Sequence, residues 1–332
     1  MSPARLAAIA AAALLAISGA WWLSTQRHLE RAVETGSPVL PDLEASINDV
    51  TSIQIARGDG TQATLRRDSD GWRVVERNHA ANSGQVRKLL LDLAALAVVE
   101  QKTSDPKRYA VLGVDDVKSP AAKGALITLQ GKTTTTLIIG KPEGARAVYV
   151  RRSDQAGSVL ATPQIVVDAD PRRWLDTLLI DVKPNRIRRV AITVRDEPTY
   201  IAERSPGSQG ALALTAVPRG REVADPAGVD ALAGALAELR FDDVEAAGAS
   251  SPASLPTGSM SRFDTVDGLT LDIAERQAGS RRLITLVATG STESSRTEAE
   301  RINARTRGLE FEIAGYKASV LFRRLEELLK SG

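Results

Sequence analysis

Cysteine is absent from the 332 residues, which excludes disulfides, thiolate metal sites and cysteine nucleophiles at the outset. Histidine is nearly as scarce, present only as His28 and His79. His28 falls in a polar stretch near the N-terminus, so a Ser-His-Asp arrangement would have to centre on His79, and no Gly-x-Ser-x-Gly elbow accompanies it. One histidine cannot build a multi-histidine metal site, and His79 reads as a solvated loop residue. A strong charge of either sign is also missing: 43 basic residues stand against 41 acidic ones, a net +2, which argues against nucleic acid as a partner. Aromatics make up 4%. Trp72, Tyr109, Tyr149, Trp174, Tyr200, Phe241, Phe263, Phe311 and Tyr316 fall in strand or helix patterns as core residues do, with a sugar- or base-stacking platform as the competing reading.

What is present is enough apolar sequence, 43%, for two domains that close their own cores. The richness in arginine and alanine has the look of a GC-rich bacterial genome. The absence of cysteine suits both a cytoplasm and a periplasm, so location has to come from the N-terminus. After Arg5 comes "LAAIAAAALLAISGAWWL", eighteen uncharged residues from Leu6 to Leu23. As a helix this run extends about 27 Å, just enough for a bilayer core. Trp21 and Trp22 suit the headgroup region, where an indole buries its ring and hydrates its N–H. The competing reading is a signal peptide cut after Ser18-Gly19-Ala20; against it, the apolar run continues past that point. A buried core helix is the third reading. Residues 25–46, polar and carrying two prolines, read as a stalk and linker.

From Asp49 the pattern alternates. Val50, Ile53 and Ile55 lead to Asp59-Gly60, Ala63 and Leu65 lead to Asp70-Gly71, and Trp72, Val74 and Val75 follow, which predicts a meander turned by Asp-Gly pairs. Asn82 or Ser83 then opens a helix with Val86, Leu89, Leu90, Leu93 and Leu96 on one face. "ALITL", "TTTTLIIG", "AVYVRR" and "SVLA" read as strands, and Pro171 to Leu178 as a short helix. The second half repeats this order. Ile187, Val190 and Ile192 match Val50, Ile53 and Ile55 at an offset of 137, and Val229, Leu232, Leu236 and Leu239 match Val86, Leu89, Leu93 and Leu96 at an offset of 143. Asp225-Pro226 opens the second helix, and residues 246–260 interrupt the second half as a small-residue loop. Two unrelated α+β domains are the alternative.

The stretches "VTSIQIARGDGTQATLRRDSDGWRVVERN", "VRKLLLDLAALAVVEQKTSDPKRYAVLGV", "DPRRWLDTLLIDVKPNRIRRVAI" and "YKASVLFRRLEELL", behind an N-terminal apolar run, resemble the bacterial family known as domain of unknown function 4340, over about Ile47 to Leu329. No catalytic motif defines that family. The resemblance implies anchoring in the inner membrane, a largely periplasmic body, and association with ABC export systems of the gliding-motility kind.

The remaining motifs read as structure. Arg57-Gly58-Asp59 reads as a turn rather than an adhesion triplet. Asp68, Asp70 and Gly71 read as a turn too, because a calcium loop in that register would start at Arg66 in place of an acidic ligand and would put Arg77 at the twelfth position, which requires a bidentate glutamate. Gly131-Lys132-Thr133 lacks the glycine five residues earlier that a phosphate loop needs. Asp115-Asp116 and Asp242-Asp243 read as solvated charges rather than acid–base pairs. The arginine pairs at 66, 151, 172, 188, 281 and 323 read as solvated faces, with docking to an acidic surface or anionic lipid as the alternative.

The expected architecture is α+β: a transmembrane anchor at 1–24, a stalk at 25–46, and two tandem repeats at 47–180 and 181–332, each an antiparallel meander with a packed helix. The expected function is a membrane-anchored periplasmic interaction module accessory to an ABC-type transport or envelope assembly. The alternative is a periplasmic binding protein or an enzyme acting on an envelope polymer. No catalytic, cofactor-binding or metal-binding residue is assigned. The expected partners are the inner membrane, through residues 6–23, and an ABC permease or its periplasmic companion.

Overall fold

The computed structural model describes residues 35–118, 120–205, 210–248 and 258–330. The run Leu6–Leu23, His28 and the stalk up to residue 34 lie outside the described residues. Among those described, no helix is long and apolar enough to cross a membrane. The protein is mixed α+β with two large antiparallel sheets, as the alternating pattern predicts.

The first sheet holds β1 (Ser52–Arg57), β2 (Gln62–Asp68), β3 (Gly71–Val74), β4 (His79–Ala80), β5 (Ala97–Gln101), β6 (Ala125–Gln130), β7 (Thr134–Glu143), β8 (Ala147–Arg152) and β9 (Ser158–Thr162). Their order is β4-β3-β2-β1-β6-β7-β8-β9-β5. Helix α1 (Ser83–Ala94) is opened by Asn82, whose side chain accepts from the Gln85 N–H at 3.0 Å. Val86, Leu89, Leu90 and Leu93 are buried on its inner face. The turns follow the Asp-Gly logic: Gly60 and Gly71 sit at φ +88° and +122°, conformations that a side chain would strain.

A short pair, β10 (Leu178–Ile180) with β14 (Leu239–Arg240), leads to the second sheet. This holds β11 (Ile187–Thr193), β12 (Tyr200–Glu203), β13 (Ala213–Leu214), β15 (Asp243–Ala246), β16 (Met260–Thr265), β17 (Leu269–Ala278), β18 (Arg281–Gly290) and β19 (Leu309–Glu312). Their order is β13-β12-β11-β16-β17-β18-β19-β15. Strict alternation along β17 puts Leu269, Leu271 and Ile273 into the core, where Phe263 and Phe311 are fully buried.

The chain divides into two compact units. One takes in the described residues to Thr61 together with Lys88–Ala169; the other takes in Gln62–Arg87 together with the described residues from Asp170 onward. In the first unit, part of the segment read as linker is built in. Val39, Leu40 and Leu43 are buried, and the chain from Gly36 to Val39 runs along β5, with Gly36 N–H donating to Val98 O at 2.7 Å and Val98 N–H to Ser37 O at 2.9 Å.

Three local expectations differ. Val229, Leu232, Leu236 and Leu239 are all buried as expected, but the second helix is only α2 (Pro226–Asp230) followed by a 3-10 turn, Ala231–Gly234, since Gly228 and Gly234 weaken a continuous helix. Pro171 opens a 3-10 turn that ends at Trp174, and Leu178 already belongs to β10. A helix absent from the sequence reading, α3 (Glu293–Thr306), stands between β18 and β19, opened by a reciprocal cap between Thr292 and Ser295. Its Asn303 donates to Ala288 O at 2.8 Å and accepts from Ala288 N–H at 2.9 Å, closing a stretch of β18 that β19 leaves unpaired. Asn303→Ala is expected to destabilise the second unit by about 1–2 kcal/mol, as two backbone groups lose their partner. An unchanged urea midpoint would show that the edge needs no cap.

Candidate functional site

The motifs singled out in the sequence are held locally. Asp59 accepts from Thr61 N–H at 2.8 Å, which lowers its pKa from the usual carboxylate value, and Arg57 donates to Val167 O. Asp68 accepts from Asp70 N–H and pairs with Arg73 at 3.2 Å, the Arg73 bond being the main cause of its lowered pKa. Lys132 pairs with Asp49 at 2.9 Å on an exposed turn. Each of these is turn chemistry, and none converges with another. Asp59→Asn is expected to leave the thermal midpoint unchanged, since that side chain faces water; a clear shift would mean the turn carries more than its own geometry.

Two recesses are more developed. In the second unit, β2, β3 and β4 form a wing whose tip, Val75–Ala80, turns through Asn78 at φ +47°. Two tip side chains enter the body of the unit. Arg77 makes a forked ion pair with Asp243, Nε to Oδ1 at 2.6 Å and Nη2 to Oδ2 at 3.1 Å, both groups half-buried. His79, 4% exposed, stands edge-on to Phe241 and Phe311 with ring centroids 5.2 and 5.8 Å away. The expectation of a solvated loop histidine is therefore overturned: His79 lies on β4, drawn in by an aromatic pair that sequence spacing does not connect to it. Burial, followed by the Arg305 charge, lowers its pKa to about 4, and its Nε2 has no partner. Asp243 is likewise no solvated charge, although Asp242 is exposed.

In the first unit, a depression of about 190 Å³ is lined among others by Pro38, Val39, Val98, Val159, Arg151 and Gln155. Arg151, expected on a solvated face, is only 5% exposed. Its Nε donates to Val114 O at 2.9 Å, Nη1 to Gln155 O at 3.3 Å and Nη2 to Asp116 at 2.5 Å, and the guanidinium lies 4.5 Å from the centre of the Tyr109 ring. The Asp115 Oδ1 beside it is buried without a partner.

The other arginine pairs are largely neutralised at home. Arg152 pairs with Asp154, Arg172 with Asp170, Arg189 with Asp264, Arg281 with Glu245, Arg282 with Glu275 and Arg324 with Glu197. Of the aromatics, Tyr316 is 70% exposed and Trp72 half-buried, whereas Tyr109, Trp174, Tyr200, Phe241, Phe263 and Phe311 are core residues as expected. Among the described residues, no three His, Cys, Asp or Glu side chains gather as metal ligands. Sequence reasoning missed Arg77 and the burial of Arg151.

Two large antiparallel sheets, a wing seated by one ion pair and one aromatic pocket, and arginines bound to nearby carboxylates place the protein among mixed α+β scaffolds. It belongs to the family described as Domain of unknown function (DUF4340), whose model matches residues 72–257, more than half of the chain. No curated protein and no solved structure matches it.

Proposed function

We propose that the chain is a single-pass protein of a bacterial inner membrane whose periplasmic body is two tandem copies of one α+β unit, acting as an interaction module accessory to an ABC-type transport or envelope assembly. Duplication is supported by topology. Replacing each strand in β3-β2-β1-β6-β7-β8-β9-β5 by the one ten places later reproduces the order of the second sheet. Register supports it as well. Ile53 faces Leu129 and Ile55 faces Ile127; at the same offsets Val190 faces Phe263 and Ile192 faces Ser261. A closing ladder repeats too. Asn82 N–H donates to Trp174 O and Asp176 N–H to Ala80 O; at the corresponding places of the second half, Ala224 N–H donates to Leu328 O and Lys330 N–H to Glu222 O. Coincidence at the level of single backbone bonds is hard to reach by convergence of two unrelated domains.

The observation that carries the interaction reading is the wing seat, because the fold already docks a hairpin tip through Arg77–Asp243 and His79 against Phe241 and Phe311. Such a device serves a partner chain as well as it serves the protein itself. Leu6–Leu23 supports the anchor, and the family resemblance points to ABC export components. A shared membrane would confine both partners to one plane, so weak contacts suffice. The protein is expected to stay in the membrane pellet through alkaline carbonate, and in-membrane crosslinking is expected to recover an ABC permease or its periplasmic companion. A mature chain beginning at Trp21 would refute the anchor. Recovery of no transport component, together with a hydrolytic activity lost on one carboxylate change, would replace the reading with an enzyme.

A further inference from the structure

The duplication, on which this inference rests, leaves one wing without a seat and one seat without a wing. The tip Val75–Ala80 corresponds at an offset of 142 to Val217–Glu222. Asn78 and Gly220 both turn with positive φ, 47° and 78°, and Val75 and Val217 are exposed to 39% and 38%. Arg219 then stands near where Arg77 stands. Arg77 is held by Asp243, whereas Arg219 is exposed. On the other side, the seat residues Phe241 and Asp243 correspond to Val98 and Glu100 at the helix offset of 143. Phe311 corresponds to Val159 through the strand pairing: Val244 faces Phe311, and its counterpart at that same offset, Gln101, faces Val159. Val98 and Val159 are two of the residues that line the depression of the first unit. That depression is thus the counterpart of the pocket that holds His79, with an acidic residue kept at the place of Asp243.

We propose that the depression is a docking site for a second copy of this chain, which inserts the exposed turn Val217–Gly220 of its wing there, while Arg221 and Glu222 stay bound to Glu326 and Lys330 of their own chain. Arg219 pairs with Glu100 there, as Arg77 pairs with Asp243 in the seated wing. Glu100 is 59% exposed in its side chain and shares its charge with Lys102 at 2.7 Å, a partner at the surface that an incoming guanidinium can displace or join. The contact uses two different surfaces of the same chain. It is therefore head-to-tail and leads to a ring or a row of copies rather than a two-fold dimer.

The lack of native cysteine makes the test direct. Full-length Glu100→Cys and Arg219→Cys chains, co-expressed and treated in membranes with a short bis-maleimide, are expected to give a crosslinked dimer that neither variant gives alone. With the thiols moved to Pro218→Cys in the chain that offers the wing and Val99→Cys in the chain that offers the depression, Arg219→Glu in the former is expected to lower the yield about tenfold. Glu100→Arg in the latter should then restore it. Arg77→Cys with Asp243→Cys in one chain is the internal control. Crosslinking of that control without any mixed dimer would overturn self-association and leave the duplication standing. Crosslinking of Glu100→Cys to its own kind, or to a different membrane protein in place of a second copy, would overturn the proposal in favour of another occupant.

Discussion

Arg276→Ala is expected to destabilise the second unit by about 3–5 kcal/mol, the cost of breaking a buried ion pair by removing one partner. Glu310, on β19, is 1% exposed in its side chain, and the Arg276 guanidinium on β17 reaches it with Nε at 2.8 Å from Oε1 and with Nη2 on Oε2. Truncating the arginine leaves a carboxylate inside the sheet without the guanidinium that faces it. Arg276 is itself one-third exposed, so entry of water at its place sets the effect toward the lower end of that range. The double variant Arg276→Ala with Glu310→Leu is expected to recover most of the loss, because the charge that needs solvation is then gone. Arg281, whose pair with Glu245 is about two-fifths exposed on both sides, is the contrast: its alanine variant should unfold at nearly the wild-type urea concentration. Equal losses for Arg276→Ala and Arg281→Ala would mean that burial does not set the value of these pairs.

That contrast marks where the sequence is readable. The alternation Val50, Ile53, Ile55 and the helical spacing Val86, Leu89, Leu93, Leu96 report one-dimensional periods, and every one of these residues is buried. The Asp-Gly turns are local chemistry and stand as expected. Burial of a polar side chain is a different matter, because it depends on partners far away in sequence. Nothing around His79 announces Phe241 and Phe311, which lie in the other half of the chain, and nothing around Arg151 announces the Tyr109 ring. Similarly, α3 carries little apolar sequence; of its fourteen residues only Ser295, Ala299 and Thr306 are buried, so no hydrophobic stripe marks it. Its legible signal was the Thr292-x-x-Ser295 cap. Under the proposed duplication, the helix offset of 143 read in the sequence is what connects Asp243 to Glu100.

The second large effect is an acid sensitivity that belongs to one side chain. His79 has a pKa of about 4 in the folded protein, lowered first by burial and then by Arg305 and Arg73, with Asp176 opposing them. In the unfolded chain the same imidazole titrates near 6.5. Above that value both states hold it neutral and the stability is complete. As the pH falls from about 6.5 toward 4, the unfolded chain takes up a proton that the folded one refuses, and stability drops by about 3 kcal/mol before levelling off below pH 4. The cause is geometric: an imidazolium between the faces and edges of Phe241 and Phe311 would lose its hydration, and no carboxylate bonds to its Nε2 in return. The aspartates whose pKa is lowered, such as Asp68 and Asp170, withdraw their stabilisation only as the pH falls through the range below their ordinary value of 3.8. The interval between pH 6.5 and 4 therefore reports chiefly on histidine, and His28 is the one other in the chain. Urea unfolding of the wild type and of His79→Leu at pH 7 and at pH 4.5 separates the two histidines. The wild type is expected to lose most of that roughly 3 kcal/mol over the interval, and the leucine variant, which fills the aromatic pocket with a group that cannot titrate, to lose little. Parallel losses in both proteins would place the acid response elsewhere and remove His79 as its source.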